Sequence, residues 1–367
     1  MAVQEAAPVP SRGLALYGSI SRNSGIAIAV GMVAFMEIAA FVEGINPIDV
    51  FISGITLGAL YAVVALGYTM VYGIIELINF AHGDVFAFGA FGSLWLMERF
   101  NPTMADVTGQ YPSDQIPLAV ATVALAMVFS AVICSILGVL IERIAYRPLR
   151  NAPRLAPLIT AIGVSFIIEN ALFQWRGGSN INYPSIVPLT HITIFEGKTL
   201  GSVDITTIFS NIDVIVIVVA FAMMFALDRF VNASKLGKAM RSVAQDREAA
   251  LMMGISVDRI IVVTFIVGSA LAGVGAVVYG MDLGTIGYNM GFTLGLYAFT
   301  AAVLGGIGNI RGAMLGGLLI GIVQQFVNTL DNGQGTVWSD PVVFAVLVLV
   351  LVFRPSGLLG AQIPEKV

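Results

Sequence analysis

Apolar runs of about eighteen residues or more recur along the chain, separated by short polar segments, and a run of that length reads as a helix crossing a bilayer. Ten segments can be drawn, at roughly 25–43, 50–72, 80–97, 116–141, 155–173, 213–231, 259–281, 292–308, 312–330 and 341–354. The third, eighth and last are the least regular, and short or broken helices are the natural substitutes there. The alternating segments of a membrane β-barrel are absent from the pattern. It predicts an all-α polytopic membrane protein of about ten transmembrane helices. A single transmembrane domain spans 25–360, between a polar N-terminal tail (1–24) and a short C-terminal tail (361–367). The head contains Arg12 and Arg22 and is longer and less basic than the start of a signal peptide, so the first apolar run is expected to be retained.

Composition agrees. The chain is 57% hydrophobic and 11% charged, against about 25% charged in a soluble domain. The distribution of charge says more than its sum of -4. Loop 142–154 holds Arg143, Arg147, Arg150 and Arg154 against Glu142. Loop 232–258 holds Lys235, Lys238, Arg241 and Arg247 against Asp246, Glu248 and Asp258, and Arg311 lies between the eighth and ninth segments. The alternate loops are acidic or neutral, with Asp106 and Asp114 in 98–115, then Asp282, Asp331 and Asp340 further on. The basic loops share one parity, so the positive-inside rule places both termini in the cytoplasm and requires an even number of spans.

Small residues recur at four-residue spacing: Gly268, Ala272, Ala276 and Gly280 in the seventh segment, and Gly312/Gly316 and Gly317/Gly321 in the ninth. Such stripes let helix backbones approach closely. A faint repeat, GITLGALYAVVALG at 54–67 against GFTLGLYAFTAAVLGG at 291–306, is of the kind internal duplication leaves in transporters.

Enzyme chemistry is not evident. The two histidines, His82 and His191, fall on opposite sides of the predicted membrane, and the single Cys134 lies in an apolar run. No cluster of metal-ligand spacing and no nucleophile–base pair is seen. Gly197-Lys198-Thr199 suggests a phosphate loop, but the glycine needed five residues earlier is Ile192. No cofactor is expected in this chain, and no nucleic-acid partner.

The helix-prone polar loop 232–258 contains Glu248-Ala249-Ala250, then Leu-Met-Met and Gly254. This EAA-x3-G core resembles the coupling motif of bacterial ABC import permeases. Ala249, Ala250 and Leu251 would make a small knob, Met252 and Met253 an adaptable apolar contact, and Gly254 a helix end. Arg241, Asp246 and Arg247 would form a charged rim. The simpler reading is a basic cytoplasmic loop, and the longer motif's Leu-Pro is missing. Three further segments resemble one family: TMVYGIIELINFAHGDVFAFGAF (69–91), IERIAYRPLRNAPRLAPLITAIGVS (141–165) and LYAFTAAVLGGIGNIRGAMLGGLLIGI (296–322). The chain is similar over about residues 48–360 to the H-type permease subunits of bacterial branched-chain amino acid ABC importers. The resemblance implies an ABC importer permease fold in the bacterial cytoplasmic (inner) membrane. It also implies a second homologous permease, two cytoplasmic ATPase subunits that bind ATP and Mg, and a periplasmic substrate-binding protein. Sister permeases for urea and short-chain amides are the nearest alternative. An ion-coupled secondary transporter and a membrane scaffold are the alternatives of another class.

Polar residues inside apolar segments face a bundle interior or a water-filled path. Glu37 and Glu169 are the deep acids in this reading, with Asn170 and Gln174 extending a polar patch from Glu169, and Gln324, Gln325 and Asn328 in the ninth segment. Glu37 is expected to be structural, in an N-terminal extension. In LINFAHGD, Asn79 could cap the third span, and Asp84 would sit near that helix's first turn, where the dipole favours a carboxylate. The alternative is a break that exposes His82 and backbone groups to the pathway. Asn79, His82, Asp84, Glu169 and Asn170 are the translocation-path candidates. The ion-coupled reading would need paired intramembrane carboxylates, and nothing in the sequence pairs Glu37 with Glu169.

Overall fold

The computed structural model describes residues 12–100, 116–150, 152–153, 155–184, 191–201 and 203–360. Arg154, Asp106, Asp114, residues 1–11 of the predicted N-terminal tail and the whole predicted C-terminal tail lie outside the described residues. Twelve α-helices run through the described chain: α1 (Arg12–Val42), α2 (Pro47–Ile75), α3 (His82–Phe100), α4 (Ile116–Ile141), α5 (Leu155–Arg176), α6 (Asn211–Ala233), α7 (Lys235–Gln245), α8 (Arg247–Met252), α9 (Val257–Leu283), α10 (Met290–Gly305), α11 (Ile310–Thr329) and α12 (Thr336–Phe353). Ten of them coincide with the ten predicted segments. The short α7 and α8 fill the polar loop 232–258. α1 begins at Arg12, inside the segment expected to be a tail. α12 begins five residues before Pro341, so the proline lies within the helix rather than at its start.

Eight of the ten are long and apolar enough to cross a membrane. The two others are α3, which carries Asp84, Glu98 and Arg99, and α10, which has 16 residues. Both are packed inside the bundle. The reason lies in where they start. A Cβ added to Gly67 of α2 would meet the His82 ring at 2.0 Å, so α3 begins level with Gly67. α2 runs on from there to Ile75, about 12 Å further at 1.5 Å per residue. Glu76 then closes α2 in a left-handed conformation, φ 54°, with its N–H on the Tyr72 carbonyl. The chain from Leu77 to Ala81 climbs back into the bundle without helical structure. Glu76 is exposed, whereas Asn79 and Ala81 are buried. Non-helical backbone at this depth is tolerated only where protein surrounds it or a cavity is lined by it.

The core is built on α2, α9 and α11, and close backbone contact follows the small-residue stripes. Gly54 and Gly58 of α2 meet Ile322 and Leu318 of α11, and Gly317 and Gly321 of α11 meet Ala62 and Gly58 in return. The other α11 stripe, Gly312 and Gly316, meets Gly305 and Ala301 of α10. The α9 stripe is buried throughout, and Gly280 seats the ring of Tyr183. The two halves of the faint repeat lie on adjacent helices, α2 and α10, with Tyr61 and Tyr297 rings 5.1 Å apart.

Loop 174–212, rich in Asn, Gly and Thr, holds strands. β1 (Ile181–Asn182) pairs antiparallel with β6 (Thr285–Ile286), β2 (His191–Ile194) with β5 (Thr207–Ser210), and β3 (Thr199–Leu200) with β4 (Val203–Asp204). Asn46, which caps α2, donates to the Thr206 carbonyl and the Thr207 hydroxyl. Arg176 at the end of α5 pairs with Glu98 at the end of α3. The opposite end of the bundle gathers the basic loops. Arg354 after α12 bonds Ser24 of α1, Asn309 donates to the Leu359 carbonyl at 2.8 Å, and Arg311 pairs with Asp228 at 3.1 Å. The first and last described helices therefore meet at the end that carries the cations.

Candidate coupling loop and translocation path

The coupling-loop residues form a rigid helical corner. Ser234 accepts from the Gly237 amide and starts α7. Asp246 accepts from the Glu248 and Ala249 amides at 2.9 and 3.0 Å and starts α8. Glu248 then stands in the first turn, where the helix dipole favours an anion. Gly254, φ +79°, ends α8: the Ile255 amide donates to the Ala250 carbonyl and the Gly254 amide to that of Leu251. This pair of bonds is a Schellman closure, which the left-handed glycine makes possible.

The expected rim is used differently. Arg241 donates to the Val231 carbonyl and Asn232 Oδ1, at 2.6 and 2.9 Å, and so closes the end of α6. Arg247 donates to the Ile75 carbonyl at 2.6 Å and holds α8 on the end of α2. Both placements put a cation at a helix C-terminus, the favourable pole. Ala250 is buried, Ala249 half-buried, and the projecting surface is Leu251, Met252 and Met253, exposed by 58%, 83% and 82%. The adjoining arginines are tied down as well. Arg147 and Arg150 pair with Asp258 at the start of α9, and Arg150 also pairs with the fully buried Glu142 in the single π-helical turn after α4.

The path candidates divide into two groups. Asn79, His82 and Asp84 are buried together at the deep start of α3. Asn79 does not cap that helix; its Oδ1 accepts from the Tyr146 hydroxyl at 3.2 Å. His82 stands edge-on to Tyr68, ring centroids 5.0 Å apart, with Nε2 unpartnered. Asp84 Oδ2 accepts from Ser165 of α5, and Oδ1 has no partner. Asp84 is thus a deep acid, against the expectation that only Glu37 and Glu169 are. Glu169, one turn beyond Ser165, is half-buried and within electrostatic reach of Asp84. Asn170 falls outside this group: it is exposed on α5 and donates to its own helix at the Phe166 carbonyl, 2.8 Å. Ser165 and Tyr68 were not singled out in the sequence. Ser165 was findable, because it lies four residues before Glu169 and so shares its face. Tyr68 was not. Gln324 accepts from the Tyr61 hydroxyl at 2.6 Å, a bond between helices, and Glu37 keeps one unpartnered buried oxygen.

A polytopic helical bundle with a helix that starts deep inside it, a buried acid in the first turn of that helix and an ordered polar corner at one end defines a membrane transport subunit. A profile of the family described as branched-chain amino acid transport system, permease component, matches residues 50–351, and the chain belongs to that family. It is 41% identical to the high-affinity branched-chain amino acid transport system permease protein BraD of Pseudomonas aeruginosa, over 86% of this chain and 96% of that one. It is 40% identical to the permease protein LivH of the corresponding system of Escherichia coli K12, with the same coverage, and 38% to LivH of Salmonella typhimurium. No solved structure matches.

Proposed function

We propose that this chain is the membrane permease subunit of an ATP-driven importer of branched-chain amino acids in the bacterial cytoplasmic membrane. It works beside a second homologous permease, above two ATPase subunits that hold ATP and Mg, and takes substrate from a periplasmic binding protein. The observation that carries the reading is the corner at α7–α8. It presents Leu251, Met252 and Met253 outward from a short helix whose start, end and seating are each fixed by a named bond. Thioether and leucine side chains suit an apolar cleft on a partner. Arg247 links that contact rigidly to α2, the helix that leads to the buried path group. Asn79, His82, Asp84 and Glu169 line or border the path, and the transport systems named for BraD and LivH supply the substrate class.

The test is purification of the tagged chain from native membranes. The second permease and the ATPase are expected to come with it. Met252→Glu with Met253→Glu is expected to lose the ATPase and keep the second permease. A chain that purifies alone, or a double variant that retains the ATPase in full, overturns the reading. In that case ion-coupled transport returns as the reading to test.

A further inference from the structure

The deep start of α3 is chemically unbalanced. Asp84 is wholly buried, with Oδ1 unpartnered, and Glu169 lies within its electrostatic reach. Two carboxylates in a spanning bundle call for a cation, because an unneutralised charge there is costly. No described residue supplies one. Among the described residues every ion pair lies at a helix end, joining Arg147 and Arg150 to Asp258 and Glu142, Arg176 to Glu98, and Arg311 to Asp228. A second polar group borders the same place: Tyr68 Oη, buried, lies 3.0 Å from a Cβ placed at Gly295, with the Gly83 backbone amide beside it and no side-chain partner.

The seam is shaped for close approach. A Cβ at Gly83 would lie 2.1 Å from the Gly291 carbonyl, and one at Gly291 would lie 2.6 Å from Asp84 Oδ1. The first turns of α3 and α10 therefore meet with bare backbone between them. No side chain caps α10, and uncapped amides at a helix N-terminus favour an anion.

We propose that Asp84 and Glu169 receive the α-ammonium group of a transported amino acid, with the first turn of α10 bordering its carboxylate. This rests on the importer reading above and adds to it the group that is recognised. A zwitterion satisfies both halves of the seam at once, whereas a metal cation or a proton satisfies only the acids. Tyr68 Oη offers a further hydrogen bond beside Asp84. α5, which contributes Ser165 and Glu169, has most of its surface outward, so the two acids are reached from its side of α3.

The test uses the complete transporter in proteoliposomes, with its binding protein and ATP, and reads leucine moved per ATP hydrolysed. Asp84→Asn keeps the shape and the bond to Ser165, and Glu169→Gln changes a half-exposed side chain that the fold tolerates. Each is expected to lower the ratio roughly tenfold, the loss of one charge-assisted contact in transit. An unchanged ratio in both variants overturns the proposal, as does uptake falling in step with hydrolysis, which marks a structural role. A wild-type complex that hydrolyses ATP without moving leucine overturns the importer reading itself, and this inference with it.

Discussion

Gly254 fixes the shape of the coupling corner through one backbone angle. Nothing lies within 4 Å of a Cβ placed there, and its φ is +79°, so a substitution is penalised by conformation and not by crowding. An L-residue in this region costs about 1–2 kcal/mol, and asparagine least. Gly254→Asn is therefore expected to transport nearly as the wild type, and Gly254→Val to lose most ATP-driven uptake while still inserting in the membrane. Equal uptake in the two variants would show that the helix end is not used. The role of Gly254 as a helix end was legible in the sequence, because a glycine after a helix-prone run is a local signal. The roles of Arg241 and Arg247 were not. Each closes the end of a helix other than its own, and which carbonyl lies within reach is decided by how α6, α2 and α8 come together. Asp84 does stand in the first turn, as expected, but its depth was missed for the same reason. A carboxylate in a first turn is an ordinary surface feature until the depth of that turn is known.

At the scale of elements, hydrophobic length is a local property, and so ten segments were readable as ten helices. The depth at which α3 and α10 begin depends on the turn at Glu76 and on the contact of Gly83 with Gly291 and Gly295, and neither is written in one segment. That contact makes a prediction. Gly83→Ala must move backbone against backbone, while Gly31→Ala on α1 has nothing within 4 Å. The first is expected to lower the melting temperature of the purified protein by several degrees and the second to leave it unchanged, as read from thermal unfolding in detergent. The junction of α4 and α9 gives another. Glu142 is fully buried and has Arg150 as its partner. Removing one member of a buried pair costs about 3–5 kcal/mol, because the remaining charge is left uncompensated. Arg150→Ala is expected to cut the folded yield sharply, and Glu142→Gln added to it is expected to restore much of that yield. Failure of the second change to help would place the importance of Arg150 in its bond to Asp258 alone.

For the whole molecule, the sidedness of the fold follows from which ends meet. The bonds Arg354–Ser24, Arg247–Ile75, Arg150–Asp258 and Asn309–Leu359 gather one set of helix ends. Asn46–Thr206, Arg176–Glu98 and the β1–β6 pair gather the other. Each loop is assigned to a side by these contacts, independently of its charge. The set that holds the arginines of 143–150 and the α7–α8 corner is then cytoplasmic by the positive-inside rule. α3 and α10 fit this scheme only if each counts as a crossing in spite of its deep start, so the sidedness of the loops also tests those two helices. Lys198 lies in the hairpin of the outer set and Lys238 on α7 of the inner set. In intact cells, a membrane-impermeant maleimide is expected to label Lys198→Cys at once and Lys238→Cys only after permeabilisation. Cys134 is buried and contributes little background. Labelling of both positions from outside would mean that α6, the helix between them, does not cross. It would also remove the cytoplasmic corner from reach of any ATPase, because α7 and α8 would then face the side without ATP.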